Sequence, residues 1–462
     1  MCKVFIKMVR IIVAEETCAE SIRTWRKQQE PVVGLILGKT TSTKDYIIKF
    51  VRCPAKSETS SKVLKIEDNW VAGHAVEVSH ILPGGISVIG LFAVADPSSD
   101  KTLQSSLRQA LYCTYSFINH SCPYKFPTSE GPKLWTVIHF DMTSGRSIFS
   151  KQFDMLDRVS SAKPVDLKYQ QPCSRWSFLN SHVDIDITIP LAPLASTNVQ
   201  CLQAMVWPFC DQILNSSVLL NGAMMNDSDM VDPEITVKSG KGHKQKHKQS
   251  TLAKWGKTHS CEFFLHNDDN ESDQNGIDLS KASQCIKLCG SFYTCAYVPL
   301  KTPVSEAIEE LKFDLIRSVF RRCSLVCEEL QDQNRQLTSH QYVMFPRRVG
   351  FPKQNTDEFQ FSEYQFHGEP LEDCVARIQE TFDEAISVDD INNALEEFKQ
   401  VKSTESVPKQ DTQEMIDKDS QRKDVQIENG EMEEQAQFPI RALLAAGTAV
   451  LAVVLSYLSL AD

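Results

Sequence analysis

The stretch Ile81-Leu82-Pro83-Gly84-Gly85-Ile86-Ser87-Val88-Ile89-Gly90-Leu91-Phe92-Ala93-Val94-Ala95 decides how the first part of the chain folds. Pro83 lacks a backbone donor and the two glycines accept turn geometry, so a helix arriving at Leu82 stops there. Ile86 to Ala95 is then almost continuously apolar, the pattern of a strand covered on both faces. Upstream, Ile66 to Leu82 carries Trp70, Ala75, Val78 and Leu82 at helical spacing, with Asp68 near the start. Further back, Val32 to Leu37 and Tyr46 to Val51 are β-rich runs separated by Gly38 and a polar turn, which predicts a hairpin. Downstream, Leu103, Leu107, Leu111 and Phe117 mark a second helix. Leu134 to Phe140 and Arg146 to Phe153 flank a turn at Thr143-Ser144-Gly145. This alternation predicts an α/β layered domain over residues 1–158.

A junction of little periodicity, Ser160 to Trp176, leads to a second block expected to be an α+β domain over 159–400. Val183, Ile185, Ile187 and Ile189 alternate with Asp184, Asp186 and Thr188, as in a half-buried strand. Residues 221–283 are polar and are expected to form a disordered insertion, with one short strand near Cys261 to His266. Cys285 to Pro299 is predicted as a strand. Pro303 to Leu330 is predicted as a long helix with Val304, Ile308, Leu311, Leu315, Val319 and Val326 on one face. Tyr342 to Phe351 is expected to be a strand, and Leu371 to Phe398 one helix or a broken pair.

The chain then changes character. Residues 401–440 are polar and predict a flexible tether, whose Lys402 to Gln437 portion has a random-coil reach of about 33–36 Å. Residues 441–462 predict a transmembrane tail anchor: no charge occurs between Ala442 and Ala461. Ala442, Leu443, Leu444, Val450, Leu451, Val453, Val454, Leu455, Tyr457 and Leu458 carry most of its apolar surface. About 20 residues at ~1.5 Å rise cross a hydrocarbon core of ~30 Å with every backbone group satisfied inside the helix. Arg441 on the N-terminal side fits a cytosolic body. The first residues, interrupted by Lys3, Lys7 and Arg10, do not read as a signal peptide.

Charge and cysteine usage narrow the function. A net charge of −11 argues against a general nucleic-acid binder, which needs a basic face to displace phosphate counterions. The basic cluster Lys238 to Lys248 sits in a polar stretch and reads as a solvated loop. The 15 cysteines are scattered, as expected in a reducing compartment. No phosphate-binding loop, nucleophile elbow or H-E-x-x-H motif is present, and neither Cys285, Cys289 and Cys295 nor Cys323 and Cys327 have zinc-ligand spacing. No cofactor or metal is expected. Spacing alone does not decide whether a Cys–His nucleophile pair forms, because such partners are distant in sequence.

Longer motifs add a resemblance. Val33-Gly34-Leu35-Ile36-Leu37-Gly38, then Asp45-Tyr46-Ile47-Ile48, then the span from Trp70 through His74 and Pro83-Gly84-Gly85 to Phe92, resembles the odorant-response-abnormal protein 4 family. So do Ser161-Ala162-Lys163-Pro164-Val165-Asp166-Leu167-Lys168-Tyr169-Gln170 and the C-terminal anchor, although Lys163 and Leu167 stand where Arg and Trp are typical. The resemblance implies a tail-anchored endoplasmic-reticulum factor, with the bulk of the chain cytosolic. Such a factor helps a subset of G-protein-coupled receptors, odorant receptors among them, to mature and traffic. It further implies a partner, the cysteine protease specific for the ubiquitin-fold modifier; a scaffold that recruits this protease is the alternative reading. The order of elements also looks like an MPN domain of the JAMM type. Active members hold a zinc-bound water with an H-x-H pair. Ala93 and Ala95 occupy that strand end here and have no donor atoms, so the domain is expected to be an inactive, non-enzymatic relative. A partner surface is expected on or near the first helix and its turn: Trp70, His74, Glu77, Pro83, Gly84 and Gly85.

Overall fold

The computed structural model describes residues 10–55, 64–122, 124, 126, 132–171, 174–190, 198–232, 257–265, 285–332, 345–353 and 359–398. The expected anchor, the tether and the Lys238 to Lys248 cluster lie outside these residues. Among the described residues no helix is long and apolar enough to cross a membrane.

The fold is mixed α/β. Eight strands form the first sheet: β1 (Ile11–Ala14), β2 (Val32–Thr40), β3 (Lys44–Arg52), β4 (Ser87–Ala95), β5 (Leu134–Asp141), β6 (Ser147–Asp154), β7 (Lys163–Pro164) and β8 (Asp166–Tyr169). Their order is β7-β6-β5-β4-β2-β3-β1-β8. The apolar run Ile86 to Ala95 supplies β4, antiparallel to β2 and parallel to β5, with every residue from Val88 to Ala95 buried. Gly90 allows β5 to approach, since a Cβ there would collide with the Thr136 carbonyl. Helix α1 (Glu16–Gln28) covers one face, burying Cys18, Ile22 and Trp25 against Phe92 and Val94. Helices α2 (Asp68–Ile81) and α3 (Asp100–Ser121) cover the other.

The junction expected to be irregular is ordered. It supplies β7 and β8, separated only by Val165, which sit at opposite ends of the strand order. The Val165 N–H donates to the Ser150 carbonyl at 3.0 Å. One short segment thus joins both edges and closes the sheet, removing edges that would otherwise invite pairing.

A second sheet contains β9 (Trp176–Pro190), β10 (Ser217–Leu220), β11 (Thr258–Phe264) and β12 (Cys285–Pro299) in the order β10-β11-β9-β12. Helix α4 (Asn198–Asn215) and helix α5 (Val304–Asp332) pack on it. A hairpin of β13 (Arg347–Pro352) and β14 (Gln360–Gln365) and helix α6 (Leu371–Phe382) complete the described chain.

Three expectations are corrected. The expected insertion is narrower than residues 221–283, because residues 221–232 are placed and Val231 and Asp232 are buried. Asp232 Oδ2 accepts hydrogen bonds from Ser177 Oγ at 2.6 Å and from the Lys257 N–H at 3.1 Å, so the chain leaves and returns at one point. The strand expected from Tyr342 begins at Arg347. Of the one helix or broken pair expected over Leu371 to Phe398, the first helix ends at Phe382, because Asp383 turns left-handed at φ 53° and its N–H bonds to the Gln379 carbonyl, and only a short 3-10 turn at Val388–Asp390 follows.

Residues 1–398 form one compact unit. Its largest apolar cluster ignores the expected division at residue 158: Leu91, Ala93 and Val78 share it with Trp176, Tyr297, Phe351, Phe361 and Phe382.

Candidate partner-binding surface

Of the six residues expected at the partner surface, Glu77, Gly84 and Gly85 meet α5 and β12 along a seam, whereas Trp70 and His74 face the end of β3 and helix α6. Trp70 is half-buried and its indole Nε1–H donates to the Pro54 carbonyl at 2.8 Å, which fixes the ring inside the chain. His74 lies one turn on. Its Nε2 is 2.8 Å from the Thr381 carbonyl, an acceptor only, so Nε2 carries the proton and Nδ1 accepts from the Cys53 thiol at 3.3 Å. Burial holds His74 below the usual imidazole range despite that bond. Burial also pushes the Cys53 thiol far up. This is a Cys–His pair, but the thiol keeps its proton and the imidazole is a structural link to the last turn of α6.

The turn is enclosed. Pro83, Gly84 and Gly85 are buried. The Gly84 N–H donates to the Cys295 carbonyl and its own carbonyl accepts from the Tyr297 N–H, both at 2.9 Å. Gly85 adopts φ 78°, and its N–H donates to Glu310 Oε2 at 3.0 Å. A Cβ at Gly84 would overlap the Glu310 carbonyl oxygen, and one at Gly85 the Tyr297 carbonyl oxygen. Both glycines are therefore required by close approach to α5 and β12, and this chain itself occupies the surface expected there. Of the six, Glu77 faces outward, its side chain 52% exposed, and it pairs with Arg321 of α5 at 2.9 Å. The Arg321 guanidinium beside it holds the Glu77 carboxyl below its usual range.

Residues the sequence reading did not single out organise the seam. Glu310, Asp314, Arg317 and Arg321 form a charged stripe along α5 at helical spacing. Glu310 binds Lys39 of β2, which also meets Glu306 at 3.2 Å. Asp314 takes a bidentate pair from Arg348 at 2.6 and 3.0 Å and also accepts from the Cys295 N–H and the Thr294 hydroxyl. Beside it, Glu396 binds Arg322 through both oxygens at 2.6 and 2.9 Å, and accepts the Tyr293 and Arg348 N–H groups. Lys353 reaches Glu15, and Lys49 reaches Glu384. From sequence such a stripe reads as a solvated helix face; nothing local marks it as buried. Ala93 and Ala95 lie fully inside the apolar cluster. Among the described residues no group of three His, Cys, Asp or Glu side chains is placed to hold a metal.

The fold and seam define a mixed α/β protein whose halves are joined by buried ion pairs. Residues 34–393 match the family model described as ODR4-like, odorant response abnormal 4-like. The chain belongs to that family. It is 27% identical over 410 residues to human "Protein odr-4 homolog", covering 84% of this chain and 86% of that protein. "Odorant response abnormal protein 4" of Caenorhabditis elegans is 22% identical over 379 residues, covering 78% and 74%. Among solved structures, UfSP from C. elegans superposes at a TM-score of 0.41 with 8% identity, covering 81% of this chain and 56% of that one, a likeness too low to carry a fold or functional assignment.

Proposed function

We propose that this chain is a non-enzymatic factor, anchored in the endoplasmic-reticulum membrane by Ala442 to Leu460, that assists folding, assembly or trafficking of a subset of G-protein-coupled receptors. Membership of the ODR4-like family over residues 34–393, with a relative named for abnormal odorant response, is the observation that carries the reading. The uncharged run from Ala442 to Ala461 supports the anchor. The hairpin, helix and buried-strand order with Ala93 and Ala95 at the strand end supports an inactive MPN-like body. The partner surface in this reading lies at the outward edge of α2, where Glu77 is half exposed and pairs with the largely buried Arg321.

Receptor surface delivery tests the function. Cells lacking the chain are complemented with the full chain, with a truncation ending at Gln437, and with Glu77→Arg. The full chain restores delivery and resists carbonate extraction, whereas the truncation does neither. Glu77→Arg loses partner capture with its melting temperature nearly unchanged, as expected for an exposed pair worth about 0–1 kcal/mol. Repeating the assay in cells without the modifier-specific protease separates the two roles. A direct receptor factor keeps part of its effect there; complete loss identifies the chain as a scaffold for that protease.

A further inference from the structure

The loop after β6 holds two aliphatic side chains in water on a backbone that is fixed in place. Residues 154–159 read Asp-Met-Leu-Asp-Arg-Val, a three-residue pattern run twice. In each run the aspartate carboxylate accepts the N–H of the apolar residue two positions on, Leu156 at 3.1 Å and Val159 at 3.0 Å. The two aspartate carbonyls accept the N–H groups three positions on, from Asp157 at 3.3 Å and from Ser160 at 3.2 Å. Two consecutive turns result, of the kind that aspartate favours, with Leu156 and Val159 at equivalent positions. Leu156 is 65% exposed and Val159 92%, the most exposed of the large apolar side chains among the described residues.

The core and α3 hold this tip. Met155 is buried in the largest apolar cluster, and its N–H donates to the Lys133 carbonyl at 2.8 Å. The Tyr112 hydroxyl donates to the Asp154 carbonyl at 3.1 Å, and the Arg108 guanidinium donates to the Arg158 carbonyl. Arg158 itself lies over the Tyr112 ring, 5.4 Å from its centre. Ordering such a tip costs chain entropy, and its aliphatic surface stays wet.

We propose that Leu156 and Val159 dip into the hydrocarbon boundary of the bilayer that holds the C-terminal run, so that this loop is a second, reversible membrane contact. The proposal rests on the anchor reading given above. The uncharged run ends the chain, and the tether before it, from Lys402 to Gln437, reaches about 33–36 Å, which keeps the body beside the bilayer. Two aliphatic groups are too few to hold a membrane alone; tethering supplies the effective concentration that such a weak contact needs. The chemistry of the tip favours lipid over protein. Hot spots between proteins are poor in Leu and Val, whereas hydrocarbon selects only for apolar area. Asp154 and Asp157 balance Arg158 and Lys163, so the contact does not depend on anionic lipid.

Thiol accessibility in the full chain, reconstituted into phosphatidylcholine bilayer discs, tests this. Val159→Cys places a small probe at the tip, and Ala376→Cys places a reference on the exposed side of α6. Alkylation by a charged maleimide is followed peptide by peptide by mass spectrometry, each rate being normalised to the urea-unfolded chain. In discs the thiol at position 159 reacts about tenfold or more slowly than the one at 376, because burying one aliphatic side chain suffices for that factor. Adding Leu156→Asp restores the rate at 159 with the melting temperature unchanged, since a charge keeps the tip out of hydrocarbon. Equal rates at 159 and 376 in a chain that co-elutes with the discs overturn the proposal alone. So does a slow rate at 159 that survives Leu156→Asp. A chain that elutes apart from the discs overturns the anchor reading, and the proposal with it.

Discussion

The surroundings of β4 and the seam between α5 and β13 are equally buried and differently built. Around β4, Leu91 and Ala93 pack into one apolar cluster and Phe92 and Val94 into another on the opposite face. At the seam, Arg322, Glu396, Arg348 and Asp314 are each about 2% exposed or less, yet all are charged. Apolar burial is non-directional and tolerates alternative packings, whereas a buried charge accepts only the partner that was built for it. The first region therefore supplies the driving force for collapse. The second fixes how α5, β12, β13 and the segment carrying Glu396 pack on one another.

The most severe way to break this comparison is Glu396→Ala. It leaves the Arg322 guanidinium buried beside Phe292 and strips acceptors from the Tyr293 and Arg348 amides. Urea denaturation is expected to report a loss of about 3–5 kcal/mol. An exposed charge would cost far less, so a loss below ~1 kcal/mol would make the seam a solvated surface.

Gly85→Ala is the next test, because it strains the turn that connects the two regions. The left-handed backbone at φ 78° and the Tyr297 carbonyl together predict a loss of about 1–3 kcal/mol. The requirement for glycine there was legible in Pro83-Gly84-Gly85. Its partners were not, since Glu310 lies 225 residues away and only the fold brings it to the Gly85 amide.

That contrast holds generally. The β4 run, the apolar face of α5 and the alternation of β9 announce themselves by local periodicity. Buried ion pairs have no local pattern: Arg348 and Asp314 are 34 residues apart, Lys353 and Glu15 338. A charged stripe such as Glu310, Asp314, Arg317 and Arg321 looks the same in sequence whether it faces water or a second domain. Strands β7 and β8 were missed for a related reason, since elements of two and four residues acquire their order from tertiary packing.

Acid sharpens the comparison because two desolvated imidazoles, His74 and His80, lie on α2. His80 and His74 are held neutral in the folded chain, while unfolded imidazoles protonate near 6.5. Unfolding therefore takes up protons as pH falls below about 6.5, and stability present above that pH is lost toward about 3. Denaturation between pH 7.5 and 5 should show this erosion, and His80→Gln should flatten it by up to ~1.4 kcal/mol per pH unit. An unchanged slope would place His80 in contact with water.

The smallest effect is expected where neither region is touched. Residues 233–256 depart from Asp232 and return at Lys257, whose N–H bonds to that same carboxylate at 3.1 Å. Replacing them with a Gly-Ser linker of half their length should change stability by only about 0.6 kcal/mol, because closure entropy varies slowly with loop length. A larger loss would show that the replaced residues pack on the body.

The most direct test of the seam is a double-mutant cycle at Asp314 and Arg348, using Asp314→Leu, Arg348→Met and the pair together. If the two charges are buried for each other, each single change costs about 3–5 kcal/mol, and the double costs less than their sum by ~2 kcal/mol or more. Strict additivity, with small single losses, would show that water already satisfies both groups and would contradict the account.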